Sequence, residues 1–225
     1  AKKLVLSTYH NRHWDGCILE TMKHMKKGVI GDVVRIQAST GCFEKPGDWW
    51  RSSKSISGGV MYDWGVHILE YALQVLELDN AKITEVAGFA KNGFWADKTA
   101  WKKDTNEDES FSVIRFNTGQ WLTLTATQLD MNPQPATLEI TGTKGTYLMN
   151  GGDYKIIKRK GKEQVVTTGS NCSDDWPQFY QNVADHMVKG DKLIISPEWS
   201  RRPIHILDLT CKSYKSGKTL AAKYG

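Results

Sequence analysis

Apolar and polar positions change period along this chain of 225 residues. Residues 3–9 are β-branched and apolar and predict a buried strand. Asp15 then stands as the cap of a helix over about residues 16–27. Its Cys17, Ile18, Met22 and Met25 share one side, and Gly28 stops it. Residues 32–42 alternate and predict a second strand. A polar, aromatic loop from Phe43 to Ser57 ends in Gly58-Gly59, which opens a long helix over 60–77. Beyond it the period falls from about 3.6 to about 2. Strands follow at 82–91, 108–117, 120–129, 136–142, 145–149, 153–159 and 163–168. Asn117-Thr118-Gly119 and Gly142-Thr143-Lys144-Gly145 join two pairs of them as hairpins, so these pairs are antiparallel. A helix starting at Asp174 or Asp175 runs to Val188 and is closed by Gly190. A last one spans 197–214, with Pro197 near its first turn. This order predicts an α+β domain, an open and mostly antiparallel sheet with helices on one face. The other face needs a cover. Trp121, Leu122 and Leu124 are apolar enough to make that cover a second subunit, so a homo-oligomer is expected.

Composition narrows the classes. No apolar run nears the ~20 residues of a membrane span, so no membrane partner is expected. The opening Ala1-Lys2-Lys3-Leu4-Val5-Leu6-Ser7 turns polar too soon for a signal peptide, and a cytoplasmic protein is expected. The missing initiator Met fits either processing or a piece of a longer protein. The four cysteines, Cys17, Cys42, Cys172 and Cys211, form no C-x-x-C and read as reduced thiols. The net charge of +5 is spread out except at Lys158-Arg159-Lys160-Gly161-Lys162. That run lies between two strands and reads as a solvated hairpin tip. It lacks the aromatic pattern of an RNA platform, so no nucleic-acid partner is expected.

The chemistry concentrates in Gly58-Gly59-Val60-Met61-Tyr62-Asp63-Trp64-Gly65-Val66-His67-Ile68-Leu69-Glu70. On a helix, residues four apart share a face, with Cβ atoms roughly 5–6 Å from each other. Asp63 and His67 can therefore act as an acid–base pair, the imidazole as proton shuttle and the carboxylate as its partner. A capping Asp and a structural His read equally well from spacing alone. Gly58, Gly59 and Gly65 favour function because they permit close approach of a ligand or another backbone. Trp49-Trp50-Arg51 upstream adds an aromatic wall and a cation. Asp63, His67 and Glu70 could also be read as a metal triad, but no compact set of further ligands accompanies them. Tyr9-His10-Asn11-Arg12-His13-Trp14-Asp15 forms a second polar cluster at a strand end. Ser216-Gly217-Lys218-Thr219 has only the tail of a phosphate loop and follows a helix. No G-x-G-x-x-G and no nucleophile elbow occurs.

Taken in order, Asn11-Arg12-His13-Trp14-Asp15, Ile30-Gly31-Asp32-Val33-Val34, Trp50-Arg51 and Gly58-Gly59-x-x-x-Asp63-x-Gly65-x-His67 resemble the Gfo/Idh/MocA family of NAD(P)-dependent oxidoreductases. Gly142-Thr143-Lys144-Gly145 and Trp176-x-x-Phe179-Tyr180-x-Asn182 extend the resemblance over nearly the whole chain, closest to an inositol-dehydrogenase-like branch. The resemblance implies residues 1–14 as the last strand of a truncated dinucleotide-binding domain, and 15–225 as the α+β substrate-binding and oligomerising domain. It implies Asp63 and His67 as catalytic residues acting on a CH–OH group of a sugar, inositol or related polyol. Arg12, Trp50, Arg51 and Glu70 would line the substrate pocket, with Trp176 and Tyr180 as further candidates. NAD or NADP would serve the intact enzyme. This chain alone is expected to be inactive and to bind no cofactor, with Asn11 and Arg12 the candidates for any cofactor contact. No metal is expected. The family's catalytic lysine sits in a Glu-Lys-Pro motif ahead of the strand that opens this chain. Glu44-Lys45-Pro46 lies in a later loop, so Lys45 is not expected to fill that role. Two other readings stay open: a binding or assembly module of the same fold without chemistry, and a metal-dependent isomerase or hydrolase using Asp63, His67 and Glu70.

Overall fold

A computed structural model describes residues 4–224. The main elements are α1 (Gly16–Lys26), β1 (Val33–Gly41), α2 (Lys54–Ser57), α3 (Val66–Glu77), β2 (Ile83–Lys91), β3 (Glu109–Phe116), β4 (Trp121–Thr127), β5 (Leu138–Gly142), β6 (Gly145–Met149), β7 (Asp153–Lys160), β8 (Glu163–Ser170), α4 (Pro177–Lys189), α5 (Pro197–Ser216) and β9 (Leu220–Ala221). The strands form one open sheet in the order β8-β7-β6-β5-β1-β4-β3-β2-β9. Every neighbouring pair is antiparallel except β1 with β4. The expected α+β architecture is therefore the observed one.

The strands expected after the long helix all form, and both turns close hairpins. Local alternation is plainest in β3 and β4, where one face is buried and the other is not. The position of β1 was not expected. It lies between β4 and β5, so the chain from Gln128 to Thr137 must cross the end of β1 before it can return as β5. Ser39 N–H donates to the Thr137 carbonyl at 3.0 Å and Cys42 N–H to the Thr127 carbonyl at 3.2 Å, which ties that crossing down.

α1, α3 and α5 cover one face. α3 carries apolar residues on nearly every side, as a helix must when it is enclosed rather than laid on a surface. Ile68 through Leu76 are all buried. Leu122, Leu124, Ile114, Ile36 and Leu138 meet it from the sheet at 1% exposure or less. α5 packs hard on β2. A Cβ added to Gly88 would lie 2.3 Å from the Thr210 carbonyl oxygen, and the Gly88 N–H donates to Ser213 Oγ at 2.8 Å. Gly88→Ala must push α5 off the sheet. It is expected to lower the unfolding free energy by about 1–3 kcal/mol, read as a lower urea midpoint at unchanged slope.

Three expectations need correction. Residues 4–10 form no strand, and Lys3, where that strand was expected to begin, lies outside the described residues. The segment has no ladder neighbour. It runs instead beside the start of α5, where Ser7 Oγ donates to the Ile195 carbonyl at 2.8 Å and Thr8 Oγ1 meets Ser200 Oγ at 2.7 Å. The uncovered sheet face is also less apolar than expected. Leu122 and Leu124 point to the helices, and only Trp121 of the three faces outward, at 44% exposure. Around it stand Gln37, Ser39, Phe111, Thr123, Thr125 and Glu139. Finally, the helix expected from Asp174 or Asp175 begins later, at Pro177. Among the described residues, no helix is long and apolar enough to cross a membrane.

Candidate active site

The turn that carries Asp63 is built by packing, not by an open path to a ligand. α2 ends at Gly58, whose φ of 91° is a left-handed cap, and its N–H donates back to the Lys54 carbonyl at 2.9 Å. Gly59 has φ 124°, and a Cβ there would stand 2.7 Å from Glu107 Oε2. Gly65 lies against Met61 and Leu207. The glycines thus serve chain reversal and close contact within the protein. Of the two uses expected of them, approach of a ligand or of other parts of the protein, these contacts are of the second kind.

The long helix expected from residue 60 is broken into two windings. Met61–Gly65 is a π-type turn, and regular α-helix begins at Val66. Single π turns add a residue to the winding and are frequent at functional sites. The wider turn rotates Asp63 away from the simple four-residue stacking. Its Oδ1 accepts a hydrogen bond from Arg51 Nη1, not from His67. Arg51 in turn lies with its guanidinium 5.1 Å from the ring centres of both Trp49 and Trp50. Pro46, Gly47, Trp49, Arg51, Asp63 and Trp64 help to line a cleft of about 150 Å3.

A second loop holds this wall in place. Trp101 Nε1 donates to the Trp49 carbonyl at 2.9 Å, Asn106 Nδ2 to the Arg51 carbonyl at 2.7 Å, and Ala100 N–H to Asp48 Oδ1 at 2.7 Å. Glu107, 2% exposed, joins three elements. It accepts from Val60 N–H at 3.2 Å, Lys54 Nζ at 2.8 Å and Tyr214 Oη at 2.6 Å. Burial raises its pKa, but the bonds from Lys54 and Tyr214 outweigh burial and leave it below the usual value. Sequence reading missed this residue. Its signal was the unbroken polar run Asp104-Thr105-Asn106-Glu107-Asp108 just before a strand, all but Asp104 of which is buried.

His67 is half-buried and stands edge-on to Trp64, ring centres 5.9 Å apart. The Arg12 guanidinium covers the same indole at 5.6 Å. No side chain among the described residues hydrogen-bonds the His67 ring. Burial first, then the charges of Arg12 and His10, hold this imidazole below its ordinary pKa. Asp63 and Asp15 pull the other way without reversing it.

The remaining candidates divide. Asp15 holds the N-cap position of α1, but its carboxylate makes no cap bond. It accepts instead from Arg12 Nη1 at 3.1 Å, from Trp176 Nε1 at 2.6 Å and from Tyr71 Oη. Trp176 and Arg12 are thus linked through one carboxylate. Asn11 shares the short turn Asn11–Trp14 with Arg12. Tyr180, 62% exposed, makes its ring contacts with Tyr9 and Phe179, away from the Asp63 turn. Trp50 is 52% exposed beside Arg51. Glu70, expected in the pocket wall, lies in the interior of this chain. It is 1% exposed, and both oxygens are taken by His10, His13 and Trp199. Lys45 pairs with Asp48 at 3.5 Å in an exposed loop. No group of three His, Cys, Asp or Glu among the described residues is arranged to hold a metal ion, so the Asp63–His67–Glu70 triad does not form.

Residues 18–148, more than half of the chain, match the family model of the GFO/IDH/MocA C-terminal domain. The chain belongs to the Gfo/Idh/MocA family. Within it, the chain is 21% identical to scyllo-inositol 2-dehydrogenase (NADP(+)) IolW of Bacillus subtilis (strain 168), over 99% of this chain and 66% of that protein. It is 20% identical to the uncharacterized oxidoreductase YdgJ of Escherichia coli (strain K12), over 96% of this chain and 66% of that one. Levoglucosan dehydrogenase, solved in complex with NADH and levoglucosan, superposes with a TM-score of 0.79 at 14% identity, covering 97% of this chain and 66% of the other. The chain therefore spans about two thirds of the length of these relatives, and the likeness to levoglucosan dehydrogenase shows a shared fold alone.

Proposed function

We propose that this chain is the substrate-binding and oligomerising part of an NAD(P)-dependent oxidoreductase acting on a CH–OH group of a sugar, inositol or related polyol. His67 carries the reading. It is a half-buried imidazole with a depressed pKa and a ring free of protein partners, beside an ion-paired carboxylate and an aromatic wall. In the oxidative direction the neutral ring takes the hydroxyl proton. Asp63 holds a negative charge nearby that steadies the imidazolium so formed, and Arg51 holds Asp63. Arg12, Trp50 and Arg51 offer donors and apolar faces to hydroxyls and ring C–H groups, and Trp176 bears on the site through Asp15. Tyr180 is proposed only as an outer wall.

A nicotinamide would supply the hydride acceptor. This chain by itself is proposed to hold none. The described residues contain no glycine-rich phosphate loop, and Asn11 and Arg12 are the only residues proposed to touch the cofactor. Residues 1–14 are proposed to continue a dinucleotide-binding domain, a reading supported by Leu4 and Leu6 at 81% and 65% exposure. Exposed Phe89 and Trp121 support an oligomer through the uncovered sheet face. A cytoplasmic location belongs to the same proposal.

The test is turnover of the full-length protein with NAD or NADP and a panel of inositols, aldoses and anhydrosugars. Because His67 must be neutral to accept the proton and its pKa is lowered, the acid limb of kcat/KM for oxidation is expected below the ordinary imidazole value of about 6.5. Absence of nicotinamide reduction with every polyol would sink the reading.

A further inference from the structure

Where α1, α3 and the start of α5 meet, a cavity of about 300 Å3 opens that the proposed reaction does not use. The cleft beside Asp63 has about half that volume, and the two share no lining residue. The larger one is of a size that holds small molecules. His13 and Gln74 are its inner polar groups. Gln74 is 7% exposed; its Nε2 donates to the His13 carbonyl at 3.4 Å, and its Oε1 has no partner among the described residues. His13 Nδ1 meets Glu70 Oε1 at 2.6 Å. A carboxylate only accepts, so that nitrogen carries the proton and Nε2 keeps a lone pair, which no described residue engages. The inner end of the cavity thus carries two unspent acceptors. A buried acceptor without a donor is costly, and a bound hydroxyl would relieve that cost.

The walls are apolar. Trp199 Nε1 donates to both Glu70 oxygens at 2.9 and 2.8 Å, so the indole is fixed before anything binds. Leu78 and Ile194 beside it are 43% and 39% exposed, apolar surface that a ligand would take from water. At the mouth, Lys26 and Lys192 are exposed, and neither makes an ion pair among the described residues. Glu77, the single carboxylate lining the cavity among the described residues, is already paired with Arg202. The charge left over is positive.

We propose that this cavity is a second ligand site, for a small carboxylate with an apolar body and a hydroxyl at its far end, the pattern of a phenolic acid. The carboxylate meets Lys26 and Lys192 at the mouth. The ring lies against Trp199, Leu78 and Ile194, and the hydroxyl donates to His13 Nε2 or Gln74 Oε1. The proposal does not depend on whether Asp63 and His67 are catalytic.

The test is titration calorimetry of the full-length protein with para-hydroxyphenylpropionate, expected to bind one to one with a dissociation constant of about 1 mM or lower. The carboxamide of this probe lacks the charge and is expected to bind about tenfold more weakly. Lys26→Glu and Lys192→Glu should each weaken binding of the probe by about the same factor. Both lysines are exposed, so these variants keep the fold. Phenylpropionate, without the hydroxyl, should bind about threefold or more weakly still than the probe, as one hydrogen bond is lost. His67→Ala and Trp50→Ala should bind the probe as the wild type does. Absence of saturable binding, full affinity for the carboxamide or for phenylpropionate, or wild-type affinity in both lysine variants overturns the proposal. So does loss of binding in His67→Ala, which would put the probe in the Asp63 cleft.

Discussion

His67→Ala in the full-length protein is expected to lower kcat for polyol oxidation about a thousandfold, within the range that a positioned general base contributes. KM should change little, because the ring acts on a proton in flight and not on the bulk of the substrate. The acid limb of the pH profile should vanish with the imidazole. Residual turnover should instead climb with pH as hydroxide takes over the proton. Steady-state kinetics across pH checks this. A variant with near wild-type kcat would favour a binding or assembly module in which Asp63 and His67 are structural. Asp63→Asn should cost less, since Asp63 meets Arg51 directly and reaches His67 only through its field.

The largest expected loss of stability lies at Glu107, which touches no proposed substrate. Glu107→Ala removes the buried acceptor shared by the partly buried Val60 N–H, Lys54 Nζ and Tyr214 Oη and leaves these groups without that partner. Deleting one member of a buried charged cluster costs about 3 kcal/mol or more. For a chain of this size that lowers the melting temperature by roughly 6–12 °C. Because Glu107 anchors the entry to the π-type turn, the surviving folded protein should also lose turnover. Glu107→Gln isolates the charge. The pKa of Glu107 is depressed on folding, so its charge stabilises at neutral pH. That contribution is lost as pH falls below the unfolded value of about 4.3 towards the folded one. The stability gap between wild type and Glu107→Gln should therefore close in acid. A gap that stays constant with pH would show that the carboxylate charge contributes nothing.

Legibility in the sequence followed the range of each interaction. Alternation within β3 and β4, the hairpin turns and the glycine stops after α1 and α4 are local, and all could be read directly. The Trp121-Leu122-Thr123-Leu124 alternation also placed tryptophan and leucines on opposite faces, so the error about the uncovered face was avoidable. The π-type turn was not legible, since a helical period with one extra residue looks apolar and regular over so few positions. Nor was the fate of Glu70, because helical spacing puts it on the His67 face without saying whether that face meets solvent or His10, His13 and Trp199.

By itself, the sequence determined most of the strands and long helices, the antiparallel hairpins and the order of motifs that marks the family, because periodicity and turn chemistry act between residues a few positions apart. Only the tertiary structure decided that β1 enters between β4 and β5, that Asp63 pairs with Arg51, and that Glu107 and Glu70 are interior anchors. Those outcomes depend on which distant groups remain to satisfy a buried charge once the sheet and helices have closed. A buried carboxylate takes the partners that packing delivers, and no local spacing states which they are.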